Sequence, residues 1–390
     1  MIESAGFYLM LAAAGALGWA IGRQRGTRKS GERVSQLSRV YFRGLNYLLN
    51  EQQDKAIELF LEIAEVDADT VETQLALGTL FRRRGEVERA IRLHQGLVTR
   101  PGLSEEHRSQ AVLELGEDYM RAGLLDRAET LFTDVLRVDP GSRGALRHLV
   151  SIYQSEREWD KALACAERLR VLGADSVAVV IAHLQCELAE RAAQTGDDAG
   201  FHRHLDAASA ADPDCVRVPL LRAARARANG DCRSAAGYYE RVVACDRLFV
   251  SEVVEPLLDC YQRLGELQRA EHFFEHMLDS TPPVAVVLGK SGWLRRHQGP
   301  EAALAFLSDG LRRWPSIRGL SALLAMIENT PGSDARVALA AVTAVTTRLL
   351  ERAQPYRCER CGFGAKALHW QCPSCKSWGS MRPISLLVGL

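Results

Sequence analysis

The feature that most constrains this 390-residue chain is a pair of positions, mostly filled by small residues, that recurs about every 34 residues. The first position is occupied in turn by Gly44, Gly78, Gly116 and Val150. The second is occupied by Ala56, Ala90, Ala128 and Ala162, at intervals of 34, 38 and 34 residues. A period of this length indicates an array of similar units, each of which buries its apolar face against its neighbours.

One unit is displayed in full by the stretch Leu115–Pro140. Gly116 and Tyr119 lie one turn apart in a first helical pattern, and Ala128 and Phe132 lie one turn apart in a second. The small residues allow two antiparallel helices to approach closely, and the aromatic residues fill the space around that contact. A helical pair with this period is the signature of the tetratricopeptide repeat (TPR).

The repeat pattern extends over residues 37–354 and predicts eight or nine helical pairs. It blurs between Ser176 and Pro213, where helical spacing persists without the small-residue markers. A late pair is marked by Ala302 and Phe306, and two further helices in Ile317–Gln354 are expected to cap the array. The predicted fold class is therefore all-α, a TPR superhelical solenoid with additional segments at both ends.

The N-terminal stretch Ser4–Gly22 has 19 residues and no charged side chain, which matches a transmembrane helix of near-minimal length. A cleaved signal peptide is the rival interpretation, but the apolar run is long for one and the start carries Glu3 instead of a cation. The linker formed by residues 23–36 is basic, so the positive-inside rule places the N-terminus outside the cytoplasm. We predict a single-pass membrane protein, with residues 1–22 as the anchor and the bulk of the chain in the cytoplasm.

One face of this anchor carries a ladder of small residues, Ala14, Gly18 and Gly22. In lipid, such a face allows another helix to approach closely. The ladder predicts a transmembrane partner helix or a homodimer, although small residues are also common in transmembrane helices for no specific reason.

Two Cys-x-x-Cys pairs follow the repeats, Cys358 with Cys361 and Cys372 with Cys375, separated by ten residues. Each pair forms a tight knuckle, and two knuckles complete a tetrahedral four-thiolate site for one metal ion, zinc or iron. A segment as short as residues 355–390, hereafter the metal module, needs metal to fold. We expect the aromatic residues Phe363, Trp370 and Trp378 to supply its small core.

The remaining chemistry of the sequence argues against an enzyme. Lysine plus arginine and aspartate plus glutamate both number 49, so the chain as a whole is no obvious polyanion binder. The string His272-Phe-Phe-Glu275-His276 matches a metalloprotease motif, but it lies in the second helix of a clear repeat. Six further cysteines have no pair-like spacing and are expected to be reduced and mostly buried: Cys165, Cys186, Cys215, Cys232, Cys245 and Cys260.

Protein partners are expected on the concave side of the repeats, which the first helix of each pair lines. In the second and third pairs, the predicted partner-binding residues are Arg82, Arg83, Glu117, Met120 and Arg121.

The order of parts resembles the lipopolysaccharide assembly protein B family of Gram-negative bacteria over essentially the whole chain. In that family the C-terminal module is rubredoxin-like, and its metal cysteines match the four knuckle cysteines here, although Lys376 stands where rubredoxin has glycine. The resemblance implies a non-enzymatic inner-membrane adaptor. It further implies that the adaptor brings the deacetylase that commits carbon to lipid A to the membrane protease FtsH.

Two alternatives stay open on sequence grounds. One is a general TPR scaffold for envelope assembly, which differs only in its client. The other is a metal-knuckle module for nucleic acid or redox chemistry on a membrane-tethered scaffold. No nucleic-acid partner is expected, but a basic, aromatic-interleaved face on residues 356–390 would favour one.

Overall fold

The structure, a computed structural model, describes residues 71–174, 177–278, 282–328 and 353–384, with the isolated positions Tyr47, Lys55, Thr343, Thr346, Thr347, Leu350 and Glu351. Helices fill most of the first three ranges. They are α1 (Val71–Arg84), α2 (Val87–Val98), α3 (Glu105–Arg121), α4 (Leu125–Val138), α5 (Arg143–Ser155), α6 (Trp159–Val171), α7 (Ala178–Gln194), α8 (Asp198–Ala211), α9 (Arg217–Ala228), α10 (Cys232–Cys245), α11 (Val250–Leu264), α12 (Leu267–Met277), α13 (Val284–His297), α14 (Pro300–Arg313) and α15 (Ile317–Glu328). A 3₁₀ turn, Arg247–Phe249, lies between α10 and α11. The mostly helical, TPR-like solenoid predicted from the sequence is confirmed for these residues.

Contacts divide the chain into two compact units, Met1–Glu158 and Trp159–Leu390. In the first unit, the small residues of the repeat permit the close helix contacts predicted for them. A methyl group built on Gly78 would lie 2.3 Å from the ring of His94, and one built on Gly116 would lie 2.5 Å from Phe132. Because such distances are far below van der Waals contact, the α1–α2 and α3–α4 pairs require glycine here.

The second unit contains the region where the sequence pattern blurred, and the apolar positions predicted there keep their helical spacing. The apolar positions there are buried, with exposed fractions of at most 2%: Leu184, Leu188, Phe201, Leu205 and Ala208. They lie on α7 and α8, so this stretch is a regular helical pair whose small-residue markers have been replaced.

The predicted register of α14 is wrong by one residue. Ala302 and Phe306 are only half-buried, whereas Ala303 and Leu307 are fully buried. Adjacent alanines at 302 and 303 gave the sequence pattern two equivalent registers. Gly310 lies on the Ala303–Leu307 face, and a methyl group built on it would lie 3.5 Å from Val287 of α13, an ordinary contact distance. Packing against α13 therefore selects this register.

The C-terminal metal module adds a three-stranded antiparallel sheet to the second unit. Its strands are β1 (Tyr356–Cys358), β2 (Gly364–Ala365) and β3 (Met381–Pro383), in the order β2-β1-β3. The central strand β1 therefore ends at the first of the four knuckle cysteines.

Several predictions fall outside the described residues, namely the anchor Ser4–Gly22 with its Ala14–Gly18–Gly22 ladder, the linker 23–36 and most of the first repeat. Among the residues that are described, no helix is both long enough and apolar enough to span a membrane.

Candidate metal centre and partner surface

Four sulfur atoms converge at the two knuckles. Those of Cys358, Cys361, Cys372 and Cys375 all lie within 4.8 Å of one another, and the Cys358–Cys375 and Cys361–Cys372 separations are both 3.7 Å. A tetrahedron with metal–sulfur bonds of about 2.3 Å has sulfur–sulfur edges of roughly 3.8 Å. The four thiols therefore fit one tetrahedral metal ion, as their spacing predicted. They are too far apart to be disulfide-bonded.

The two knuckles share one backbone design. The amide of Gly362 donates to the carbonyl of Cys358, and the amide of Lys376 donates equivalently to the carbonyl of Cys372. Both turns need a left-handed residue at this point, with φ of 77° at Gly362 and 56° at Lys376. Lys376 therefore adopts the conformation for which rubredoxin uses glycine, and the second knuckle closes as the first does despite the different residue.

Hydrogen bonds favour the deprotonated state that a metal requires at two of the four sulfurs, whereas burial raises the pKa of the Cys372 thiol to about 11. The bond with the Ser380 hydroxyl, supported by the amides of Arg360 and Cys361, lowers the pKa of Cys358 to about 6. A bond with Ser377 lowers the pKa of Cys375. Thiolates are the metal-binding form of cysteine, so these residues fit a single metal ion. Zinc and iron both suit a site of four sulfurs. A closed four-thiolate site of this kind is structural and holds the fold of the module.

The aromatic residues of the module do not form its core, contrary to the sequence-based expectation. Its own core consists of small and sulfur-containing side chains, Cys358, Ala365, Cys372 and Met381. Phe363 is 37% exposed. The reason is size, because so short a chain cannot enclose three large rings, and the two tryptophans pack against another surface instead.

Trp370 is half-buried and packs against the helical pairs of the second unit. Its ring stacks on Phe249 at a centroid separation of 5.9 Å with an interplanar angle of 6°. The guanidinium group of Arg217, the first residue of α9, lies 5.7 Å from the centroid of the same ring. Arg217 is 2% exposed and is neutralised by Glu187 and Glu190 of α7, at 2.8 and 2.9 Å. Trp370 therefore anchors the module to α9 and to the turn that precedes α11.

Trp378 forms the second anchor. It stacks on His183 of α7 at 5.1 Å and meets Trp159 of α6 edge-on at 6.4 Å. Gly379 follows it at a positive φ of 59°, and a methyl group there would lie 3.0 Å from His183. The glycine thus lets the knuckle approach α7 closely.

Polar contacts fix the orientation of the docked module. The Tyr356 hydroxyl donates to Glu252 of α11 at 2.8 Å. Arg382 pairs with Asp246 at 3.3 Å, and its guanidinium lies 5.6 Å from the Phe249 ring. The module consequently covers the first helices of three successive pairs, α7, α9 and α11.

Acid should weaken this docking through His183. Burial, aided by the charges of Arg217 and Arg382, lowers the pKa of His183 to about 3, against about 6.5 in the unfolded chain. Because the pKa of His183 is lower in the folded state, the unfolded state binds the proton first as the pH falls. The contribution of neutral His183 to the free energy of unfolding is therefore retained above pH 7 and lost as the pH falls below 6.5. From pH 7 to pH 5, the second unit should lose about 2 kcal/mol of unfolding free energy. Urea titrations followed by tryptophan fluorescence measure this loss.

His183→Phe is the matched comparison, because it keeps the stack on Trp378 but cannot take up a proton. Acid displacement of metal from the thiolates affects both proteins equally. Equal pH dependence of the two proteins would contradict the assignment to His183.

In the first unit, the five residues predicted to bind a partner line one pocket. Arg82 and Arg83 of α1, and Glu117, Met120 and Arg121 of α3, line a volume of about 600 Å³ together with His148 of α5. We call this the first-helix pocket, since all three helices are the first members of their pairs.

A network of ion pairs forms the floor of this pocket. Arg82 donates to Glu114, Glu117 and Asp118, each at 2.7 Å, and His148 contacts Glu117 at 3.1 Å. The His148 contact, with Arg82 nearby, lowers the pKa of Glu117 against the opposing effect of burial. Arg82 is thus largely occupied by structural pairs, while Arg83 and Arg121 at the rim are exposed.

Beneath this network lies a buried pair that the sequence analysis missed. Nδ1 of His94 lies 2.5 Å from Asp118 Oδ2, and both side chains are fully buried. His94 occupies the repeat position held by Phe132 in the next pair, four residues after the marker alanine. A polar residue at an aromatic core position was the available signal that a buried partner was needed.

The metalloprotease-like string is exposed on α12. The side chains of His272 and Glu275 are 69% and 72% exposed, while Phe274 is buried in the repeat. Within the described ranges, the four knuckle cysteines are the only cluster of three or more His, Cys, Asp or Glu ligands close enough for one metal. The six other cysteines are free thiols, five buried and one half-buried, as predicted.

Comparisons with known proteins agree with both parts of the chain. One family model, described as a rubredoxin metal binding domain, matches residues 356–383, and another, described as a tetratricopeptide repeat, matches residues 75–106. Lipopolysaccharide assembly protein B of Escherichia coli strain K12 is 38% identical over 98% of this chain and 99% of its own length. The Haemophilus influenzae protein of the same name is 31% identical over 97% and 98% of the two chains. A crystal structure of MamA covers 46% of this chain and 92% of its own, with 17% identity and a TM-score of 0.37.

Fold and site together define the class, a TPR scaffold that carries a closed four-thiolate metal module. Within that class, near-complete coverage at 38% identity shows that the chain belongs to the lipopolysaccharide assembly protein B family.

Proposed function

We propose that this chain is a non-enzymatic adaptor that regulates lipopolysaccharide biosynthesis by binding protein clients at the inner membrane. The observation that carries the proposal is the first-helix pocket, where side chains from three successive repeats line one open surface. Equivalent surfaces of stacked repeats are where solenoid proteins bind their partners. In the second unit, the first helices α7, α9 and α11 already hold the metal module, so that surface is occupied by the chain itself.

The client is inferred from the family resemblance. We propose that the adaptor presents the lipid A-committing deacetylase to the membrane protease FtsH. An adaptor of this kind must hold a client near the bilayer, because proximity raises the effective concentration of client and protease for each other. The apolar segment Ser4–Gly22 and the basic linker 23–36 supply this tether in the proposal, with the N-terminus in the periplasm. The Ala14–Gly18–Gly22 face would contact a partner's transmembrane helix or a second copy.

Removing residues 1–22 should separate client binding from client turnover. The truncated chain should still capture the deacetylase, while the half-life of the deacetylase in cells should lengthen several-fold. Gly18→Leu with Gly22→Leu should keep the protein in the membrane yet prolong the half-life, because bulky side chains block close helix contact. Pulse-chase measurement at native expression levels tests both variants.

Ala16→Leu with Ala20→Leu is the matched control for added bulk, because helical spacing sets both positions apart from the small-residue ladder. This control should leave the half-life unchanged. Normal deacetylase turnover with the soluble 23–390 fragment would show that tethering is dispensable and would contradict the proposal. Capture of envelope-assembly proteins in place of the deacetylase would support the general-scaffold alternative.

The nucleic-acid alternative is less well supported by the metal module. Its two tryptophans pack on α6, α7 and the turn before α11, and Arg382 pairs with Asp246. Aromatic rings that stack on bases must be accessible, so these residues serve docking instead.

A further inference from the structure

Two exposed arginines of the first-helix pocket, Arg83 and Arg121, occupy the same position in consecutive repeats. Arg83 follows the marker Gly78 by five residues, and Arg121 follows the marker Gly116 by five residues. Their helices, α1 and α3, pack side by side in the first unit. Axes of packed helices lie about 8–10 Å apart, so the two arginines project from the first-helix surface with a spacing of roughly 10 Å.

The acidic side chains of this pocket already have partners within the chain. Glu117 and Asp118 both pair with Arg82, Glu117 also contacts His148, and Asp118 contacts His94. Arg83 and Arg121, in contrast, form no ion pair with any residue that the structure describes, and both are exposed. The rim of the pocket therefore carries two positive charges without an ion-pair partner among the described residues.

The geometry points to an extended acidic peptide as the ligand of this pocket. We propose that a client segment lies across α1 and α3 with two carboxylates three residues apart, one on Arg83 and the other on Arg121. Three residues of an extended chain in the polyproline II conformation complete one turn and span about 9 Å, so both carboxylates lie on one face and match the spacing of the arginines. Guanidinium groups bind carboxylates through paired, charge-assisted hydrogen bonds, and Met120 between them offers an adaptable apolar contact. This inference rests on the proposed client-binding function and specifies what the client must present.

Arg82 is a positioning residue in this scheme. It holds Glu114, Glu117 and Asp118 of α3 against α1, and thereby sets the separation of the two helices. A substitution at Arg82 would disturb the fold, so the test uses Arg83 and Arg121.

Fluorescence anisotropy with the purified full chain in detergent tests the proposal at low salt. The probe is a fluorescein-labelled 16-residue glycine/serine peptide with glutamate at every third position. Arg83→Glu with Arg121→Glu should weaken its binding at least tenfold, and each single reversal should have an intermediate effect. A peptide with glutamine in place of glutamate should also bind at least tenfold more weakly than the probe. A peptide with the same glutamates in one contiguous block should bind several-fold more weakly, because its charges do not match the spacing.

Arg92→Glu with Arg137→Glu is the matched control. Both residues are exposed on second helices of the same unit, and the pair changes the net charge by the same amount. This control should bind the probe within twofold of the wild type, and circular dichroism should be unchanged for all variants. Equal binding by the double reversal and the control would overturn the proposal, as would no binding to the wild type at millimolar peptide. Tighter binding of a single-stranded oligonucleotide than of the probe would also overturn it.

A negative result for the acidic peptide can be distinguished from failure of the proposed adaptor function. If the deacetylase half-life responds to loss of the tether but the probe does not bind, the adaptor stands and recognition lies elsewhere on its surface.

Discussion

A chain carrying Cys358→Ser and Cys372→Ser should purify without bound metal and with its metal module detached from the second unit. Each substitution removes one thiolate, Cys358 from the first knuckle and Cys372 from the second, so two of the four ligands are lost. Structural zinc contributes on the order of 10–16 kcal/mol to the folding of small four-ligand modules, far more than a core of this size supplies. Without metal, Trp370 and Trp378 lose the backbone that holds them against Phe249 and His183.

Metal analysis and tryptophan fluorescence measure this effect together. The wild type should contain close to one zinc or iron per chain, and the variant should contain almost none and show red-shifted emission. Cys245→Ser is the matched control, since this half-buried thiol lies outside the cluster and should leave both readings unchanged. A wild type with well under one metal ion per chain, or a variant whose fluorescence emission is not red-shifted, would contradict the account of the site.

The second large effect is expected from Asp118→Ala in the first unit. The substitution leaves His94, which is fully buried, and Arg82, which is 11% exposed, without their shared carboxylate. Arg82 keeps Glu114 and Glu117, but Nδ1 of the buried His94 loses its hydrogen-bond partner, and a buried polar group left unsatisfied costs about 1–3 kcal/mol. The first unit should therefore unfold at a clearly lower urea concentration, and amides of α2 and α3 should exchange faster.

Asp134→Ala provides the contrast for this measurement. Asp134 forms only an exposed pair with Arg137 one turn away on α4, and such pairs contribute about 0.3–0.5 kcal/mol. A loss below about 1 kcal/mol for Asp118→Ala would show that the buried pair is not the support of the first-helix pocket.

The sequence by itself determined the repeat, the close helix contacts and the four metal ligands. These features are local, because a helix has a fixed period and a Cys-x-x-Cys turn places two sulfurs together wherever it occurs. Gly116 against Phe132 and the four converging sulfurs are therefore found where the pattern placed them. The pattern failed by one residue at Ala302–Ala303, where two registers were locally equivalent and only packing against α13 separates them.

The tertiary structure alone decided how side chains far apart in sequence are used. Trp370 and Trp378 looked like the core of the metal module, yet Trp378 stacks on His183 and Trp370 on Phe249, more than 100 residues earlier in the chain. Arg82 looked like a free contact residue until Asp118 and Glu114 were brought beside it by the stacking of two repeats. The physical reason is the same in both cases. Periodicity specifies which face of an element is buried, but the partner that satisfies a large ring or a buried charge is chosen by the surface that packs against it.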